Sequence, residues 1–207
     1  DVRLRPDGAK GLLVSSLASF SEYQRERAWT WEHQALVRAR CAAGDAGLCG
    51  DFERLREAVL TRPREPIAVA EDVSKMRRKM RAELDRSDAA LFDIKQGEGG
   101  LVDLEFLLQF LVLRDAPSAP ALCIPRATPL LIDVAQAARC LGADTRDALQ
   151  AAHAVLLDAG LRCTLDRRPR RVPLTQEIEQ ARAAIRAAVL AQGLRFDEEE
   201  ETEKGSE

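Results

Sequence analysis

Aromatic and histidine side chains are scarce in this chain. Of its 207 residues two are tryptophan, one is tyrosine and two are histidine, and aromatics make up only 4%. A core with so few rings has to be packed from aliphatic and small side chains, and the abundance of alanine, leucine and arginine favours helices. No apolar run approaches the ~20 residues needed to span a bilayer. The chain opens on charges rather than on a secretory signal. The two signs of charge nearly balance at a net −3, which argues against a general nucleic-acid binder. The five cysteines, Cys41, Cys49, Cys123, Cys140 and Cys163, form no C-x-x-C pair and have no histidine at ligand spacing. That pattern argues against zinc and fits free thiols in a reducing compartment. Walker A, G-x-G-x-x-G and nucleophile-elbow motifs are all missing. The expectation is a soluble cytoplasmic protein with no nucleic-acid or membrane partner.

What is present begins with DVRLRPDGAKGLLVSS. Asp1, Arg3 and Arg5 alternate with Val2 and Leu4, the period-two pattern of a half-buried strand, and Pro6-Asp7-Gly8 is a turn signal before the apolar run Leu12 to Val14. Two strands joined by a loop are expected there. Helical periodicity follows. Ser19-Phe20-Ser21-Glu22 reads as a capping box, and further helices are expected over 28–43, ended by Gly44, over 51–60 and over 71–84. FDIKQGEGG reads as a loop. The sequence LVDLEFLLQFLVLR after it is apolar nearly all round and should be the central buried helix. Thr128-Pro129 looks like the cap and first-turn proline of a helix to 140, with others over 145–166 and from Thr175 to Gly193. The run DEEEETEKGSE is a low-complexity acidic tail, expected to be disordered. Two strands do not make a stable sheet unaided, so the chain is expected to be part of a longer one.

Three constellations can carry chemistry. Asp1, Arg3 and Arg5 share one face of a strand, where a carboxylate beside two guanidiniums can hold a metal ion and the phosphates it neutralises. The bland alternative is a salt-bridged, solvent-facing strand. In AWTWEHQALVRAR, residues 28–40, both tryptophans and a histidine fall on one helix. Arg38 and Arg40 lie about 160° apart on it, so at most one faces a ligand while the tryptophans hold the helix in place. In DIKQGEGGLVDLEF, Gly99-Gly100 leave amides at a positive helix end beside Lys95, a plausible anion site unless Glu98 or Asp103 already satisfies them. Glu105 and Gln109 make a narrow polar line on the apolar helix, and Glu105 should meet a basic residue from another element. His153 has no local partner and carries no assigned chemistry. EDVSKMRRKMR reads as a solvated face whose arginines could line a cleft.

Taken in order, DVRLRPDGAKGLLVSS, AWTWEHQALVRAR, REAVLTRPRE, MRRKMR and DIKQGEGGLVDLEFLLQFLVL resemble the bifunctional glutamine synthetase adenylyltransferase/adenylyl-removing enzymes of bacteria, in the second, adenylylating unit. The resemblance implies a mainly α fold with a small β portion. It would be the C-terminal part of a polymerase-β-like nucleotidyltransferase domain (1–62), followed by a helical domain (63–196) and the tail (197–207). Asp1 would then be the third metal-binding carboxylate, while the G-S…D-x-D motif that supplies the other two is missing from this sequence. The implied reaction transfers AMP from ATP, with Mg²⁺, to a tyrosine of glutamine synthetase, under a PII-type signalling protein. Arg3, Arg5, Arg40, Lys95, Gly99 and Gly100 would border the nucleotide. A noncatalytic helical docking or regulatory module is the alternative. Toward the C-terminus the likeness departs from the family pattern at Pro125, Thr128-Pro129, Ala152-His153 and Leu156-Leu157.

Overall fold

The computed structural model describes residue 11 and residues 14–197. Asp1, Arg3 and Arg5, the two expected N-terminal strands and all of the acidic tail after Asp197 lie outside the described residues. Within them, eight α-helices, one short 3-10 helix and two short strands follow in the order α1 Leu17–Glu26, α2 Thr30–Arg38, α3 Ala46–Leu60, α4 Pro66–Leu84, β1 Leu91–Asp93, α5 Leu101–Asp115, the 3-10 helix Pro120–Cys123, α6 Thr128–Ala137, α7 Ala143–Leu165, β2 Arg171–Pro173 and α8 Gln176–Ala191. The mainly helical class with a small β portion stands.

Helix starts follow local capping chemistry. Ser16, not Ser19, caps α1, because its hydroxyl accepts the Ser19 amide at 3.1 Å and places Ser19 inside the first turn. Asp45 does the same for the Leu48 amide at 2.9 Å, so α3 begins well before the expected residue 51. Glu65 accepts from the amides of Ile67 and Ala68, and Pro66 stands at the first helical position, so α4 also starts before the expected 71. Thr175 caps α8 as expected. At α6 the cap is Ala127, with Thr128 and Pro129 already helical.

The helix expected over 28–43 is much shorter, and tertiary contacts explain why. The carbonyls of Leu36 and Val37 each accept from Arg56 at 2.6 Å, and that of Ala39 accepts from Arg126 at 2.7 Å. Side chains from α3 and from the segment before α6 therefore satisfy the end of α2. Arg40 lies beyond that end, so its expected place on the helix is corrected.

Helix α5 is the centre. Leu104, Leu107, Val112 and Leu113 have no measurable exposure, and α2, α4, α6, α7 and α8 all pack against it. Leu36, Val37, Val59 and Leu60, from α2 and α3, share one apolar core with the helices after residue 63. The loop reading of FDIKQGEGG is corrected in its first residues: β1 pairs antiparallel with β2, Phe92 opposite Val172 and Asp93 opposite Arg171. Two three-residue strands persist because Phe92 and Val172 are buried in the core.

The expectation of five free thiols is corrected as well. Cys41 and Cys49 are joined in a disulfide, with Cα atoms 5.5 Å apart. Gly44, at φ +129°, turns the chain so that the segment leaving α2 returns to the first turn of α3. Cys123, Cys140 and Cys163 are free.

Candidate functional site

The glycine turn before α5 is built around Asp103. Its carboxylate accepts from Arg77 Nε at 2.5 Å, Arg81 Nη2 at 2.7 Å and the Gly99 amide at 2.7 Å. Arg77 is fully buried and donates also to the Gln96 carbonyl at 2.6 Å. Burial pulls the Arg77 guanidinium's pKa down, and Asp103 opposes that shift. The turn is finished by Asp93, whose carboxylate accepts the amides of Lys95 and Gln96, and by the Gly97 carbonyl, which accepts the Gly100 amide. The amides offered by the sequence as an anion site are thus held by the chain's own groups. Gly99 is required here on two counts: φ is +76°, and a Cβ would lie 2.7 Å from the Arg182 carbonyl oxygen. Lys95 is exposed beside this turn.

Sequence reasoning treated MRRKMR as a solvated face and so missed Arg77 and Arg81 as the partners of Asp103. The signal was present, since residues four apart on a helix share a face.

One turn along α5 the polar line finds its partners on α2. Arg38 pairs with Glu105, and Gln34 Nε2 donates to Gln109 Oε1 at 3.0 Å. The expected basic partner of Glu105 is therefore Arg38, and Arg38 is the structural one of the two arginines. Of the tryptophans, Trp31 is half-buried and Trp29 does less than expected. Trp29 is 70% exposed, and α2 is seated instead by Leu36, Val37, His33 and Gln34. Glu32 closes the helix start, accepting from the Trp29 amide at 2.9 Å and the Tyr23 hydroxyl at 2.8 Å.

His33 Nε2 donates to the Gln24 carbonyl at 3.0 Å, and Arg64 faces Nδ1 at 3.4 Å. Since a carbonyl only accepts and a guanidinium only donates, Nε2 carries the proton and Nδ1 is bare, which is the neutral Nε2–H tautomer. Burial lowers the His33 pKa, the Gln24 bond opposes, and Arg64 and Arg62 lower it further. Arg56, buried against the end of α2, is brought down by burial to about 10 and stays charged at neutral pH.

Arg40 is exposed and lines a cavity of about 520 Å³ with Ser15, Ser16, Phe20, Phe52 and the Cys41–Cys49 bridge. It makes no ion pair with a carboxylate among the described residues. The lining of this cavity includes neither Lys95 nor Gly99 and Gly100, so Arg40 and the glycine turn do not share it. A larger cavity of about 680 Å³ between α4, the end of α5 and the segment after α8 carries charges of both signs, from Glu71 and Asp72 to Lys75 and Arg195. Among the described residues no three His, Cys, Asp or Glu side chains group closely enough to hold a metal ion. Among the described residues no helix is long and apolar enough to cross a membrane.

Comparison with known proteins places this geometry in context. Residues 1–55 match the family model described as glutamate-ammonia ligase adenylyltransferase, and residues 74–202 match the model described as GlnD PII-uridylyltransferase. A bifunctional glutamine synthetase adenylyltransferase/adenylyl-removing enzyme of Stenotrophomonas maltophilia (strain R551-3) is 63% identical over 196 residues, 95% of this chain and 21% of the relative. The enzyme of that name from Xanthomonas campestris pv. campestris (strain B100) is 60% identical over the same share. That of Shewanella loihica (strain ATCC BAA-1088 / PV-4) is 43% identical over 173 residues, 84% of this chain and 18% of the relative. The chain spans about a fifth of the length of the curated relatives it matches (21%).

Proposed function

The chain belongs to the family of bifunctional glutamine synthetase adenylyltransferase/adenylyl-removing enzymes, its residues 74–202 matching the PII-uridylyltransferase model, and from that premise we propose that it takes part in transferring AMP from ATP to a tyrosine of glutamine synthetase. The observation that carries this reading is the 63% identity spread over 95% of the chain. It extends across the α2–α5 seam and the Asp103 turn, well beyond an isolated motif.

In this reading the described helices are the scaffold that holds the cleft, and Asp1 is the residue that touches the chemistry. Arg3 and Arg5 neutralise phosphate charge beside it. Arg40 is the cation on the helical side, a role its exposure and its want of a carboxylate partner among the described residues support. Lys95 supplies a point charge at the border of the cleft. Gly99 and Gly100 contribute shape, because their amides are already bonded to Asp103 and Gly97. No carboxylate cluster among the described residues fits a bound metal, and Asp1 is the residue proposed to hold Mg²⁺. A PII-type signalling protein is proposed as regulator.

Transfer of labelled AMP from ATP to purified glutamine synthetase tests this. Polypeptides of the relatives' length should label it, and Asp1→Asn in that context should abolish transfer without loss of folding. The 207-residue chain alone should be inactive, because one carboxylate does not hold two magnesium ions. Robust transfer by the chain alone, or near-normal activity of Asp1→Asn, overturns the assignment. No transfer by any length favours the noncatalytic docking module.

A further inference from the structure

The five cysteines fall into two chemical classes. Cys123 and Cys163 are buried and Cys140 is partly so. Burial raises the Cys123 thiol's pKa, and burial with the nearby Asp115 raises that of Cys140 to about 11, so neither forms the reactive thiolate easily. Cys41 and Cys49 are different. Both are only half-buried and both line the 520 Å³ cavity. Cys41 follows the exposed guanidinium of Arg40, and Cys49 lies in the first turn of α3, where the helix end favours a thiolate. The nearby carboxylates are engaged, Asp45 by the Leu48 amide and Asp51 by Arg54.

We propose that Cys41 and Cys49 form a reversible dithiol–disulfide couple that fixes the backbone on the C-terminal side of Arg40 at the mouth of this cavity. Accessible thiols in electropositive surroundings, set next to a resolving partner, are the ones that exchange, whereas apolar burial makes a thiol inert. The oxidant is a small-molecule disulfide such as glutathione disulfide. The Cys49 thiolate attacks one of its sulfurs and expels a glutathione thiolate, leaving a mixed disulfide. The Cys41 thiolate then attacks the Cys49 sulfur and expels the second glutathione. Two protons and two electrons leave the pair, and one glutathione disulfide becomes two glutathiones. The oxidised chain has the eight-residue separation closed across Gly44 and Asp45, with Arg40 held beside the bridge. In the reduced chain the same segment is tethered only by its flanking helices.

The test uses the 207-residue chain in glutathione buffers of varied ratio, with denaturing thiol titration and mass analysis. Excess glutathione disulfide should lower the thiol count from five to three, and excess reduced glutathione should restore it. Both cysteines lie in the tryptic peptide spanning residues 41–54, which should become about 2 Da lighter on oxidation. Cys41→Ser should stop at a glutathione adduct on Cys49. Native tryptic cleavage after Arg40 should slow several-fold in the oxidised chain. A thiol count fixed at five overturns the proposal, as does oxidation landing on Cys123, Cys140 or Cys163. A bridge that reduced glutathione never opens overturns reversibility, and equal cleavage rates in the two states overturn the effect on Arg40.

Discussion

Asp103 and Glu105 stand two residues apart on α5, and each meets arginine, yet their surroundings are opposite. Asp103 is 2% exposed and bonded to Arg77, Arg81 and the Gly99 amide. The Glu105 side chain is 34% exposed and pairs with an Arg38 that is 49% exposed. Two residues is about 200° of helix, so one side chain points into the gap between α4 and the glycine turn and the other onto the edge of α2. A desolvated carboxylate with three donors organises a turn, because removing it strands the Arg77 charge where no water can reach. A wet ion pair contributes alignment and little energy. The difference locates the rigid part of the molecule at the start of α5.

The largest effect should follow from breaking the buried node. Asp103→Ala leaves Arg77 buried without its carboxylate and should cost about 3–5 kcal/mol in chemical denaturation. Replacing both partners, Asp103→Leu with Arg77→Met, should recover much of that loss, since the cost lies in the stranded charge. A single variant that loses under about 1 kcal/mol would show that the node does not hold the turn.

The next effect is a pH dependence at His33, where α2 meets Gln24 of α1 and Arg64. Its pKa is lowered in the folded chain by burial first, so the unfolded chain binds the proton more readily. Stability should be fully present above the ordinary histidine range near 6.5 and fall as pH drops from there toward the lower folded value. His153, also lowered by burial, contributes with the same sign. Thermal unfolding of His33→Gln should therefore lose less between pH 7.5 and 5 than the unaltered chain, and equal losses would remove His33 as a cause.

How much of this was legible beforehand depended on where the deciding groups lay along the chain. Helix α5 was readable because its burial is written in consecutive apolar residues; Glu105 does meet the basic partner expected of it, but as a half-exposed carboxylate and not as the buried one the apolar run suggested. The end of α2 was not readable. The donors that take its last carbonyls, Arg56 and Arg126, come from remote positions, and RAR alone is compatible with more helix. Strand β1 was missed because three residues carry no alternation, and their partner Val172 lies 80 positions away. Cys41 and Cys49 show no familiar spacing, and only the turn at Gly44 brings them together. Of the candidate site, Arg40, Lys95, Gly99 and Gly100 are placed, two of them with amides already engaged, while Asp1, Arg3 and Arg5 lie outside the described residues.

The smallest effect belongs to the seam between α2 and α5, and it sharpens the contrast most. Arg38 and Glu105 are both solvated, so a double-mutant cycle with Arg38→Ala and Glu105→Ala should give a coupling of about 0.2–1 kcal/mol. Gln34 and Gln109 cross the same seam one turn further along α5, by a bond between neutral groups at 3.0 Å. Salt separates the two. Raising ionic strength from 0.1 M to about 1 M shortens the screening length from ~10 to ~3 Å and should erode the Arg38–Glu105 coupling. It should leave a Gln34–Gln109 cycle unchanged. If both couplings fell together, the helices themselves would be separating in salt. If the charged coupling persisted undiminished, Arg38 and Glu105 would be drier than their exposure indicates, and the seam would resemble the Asp103 node.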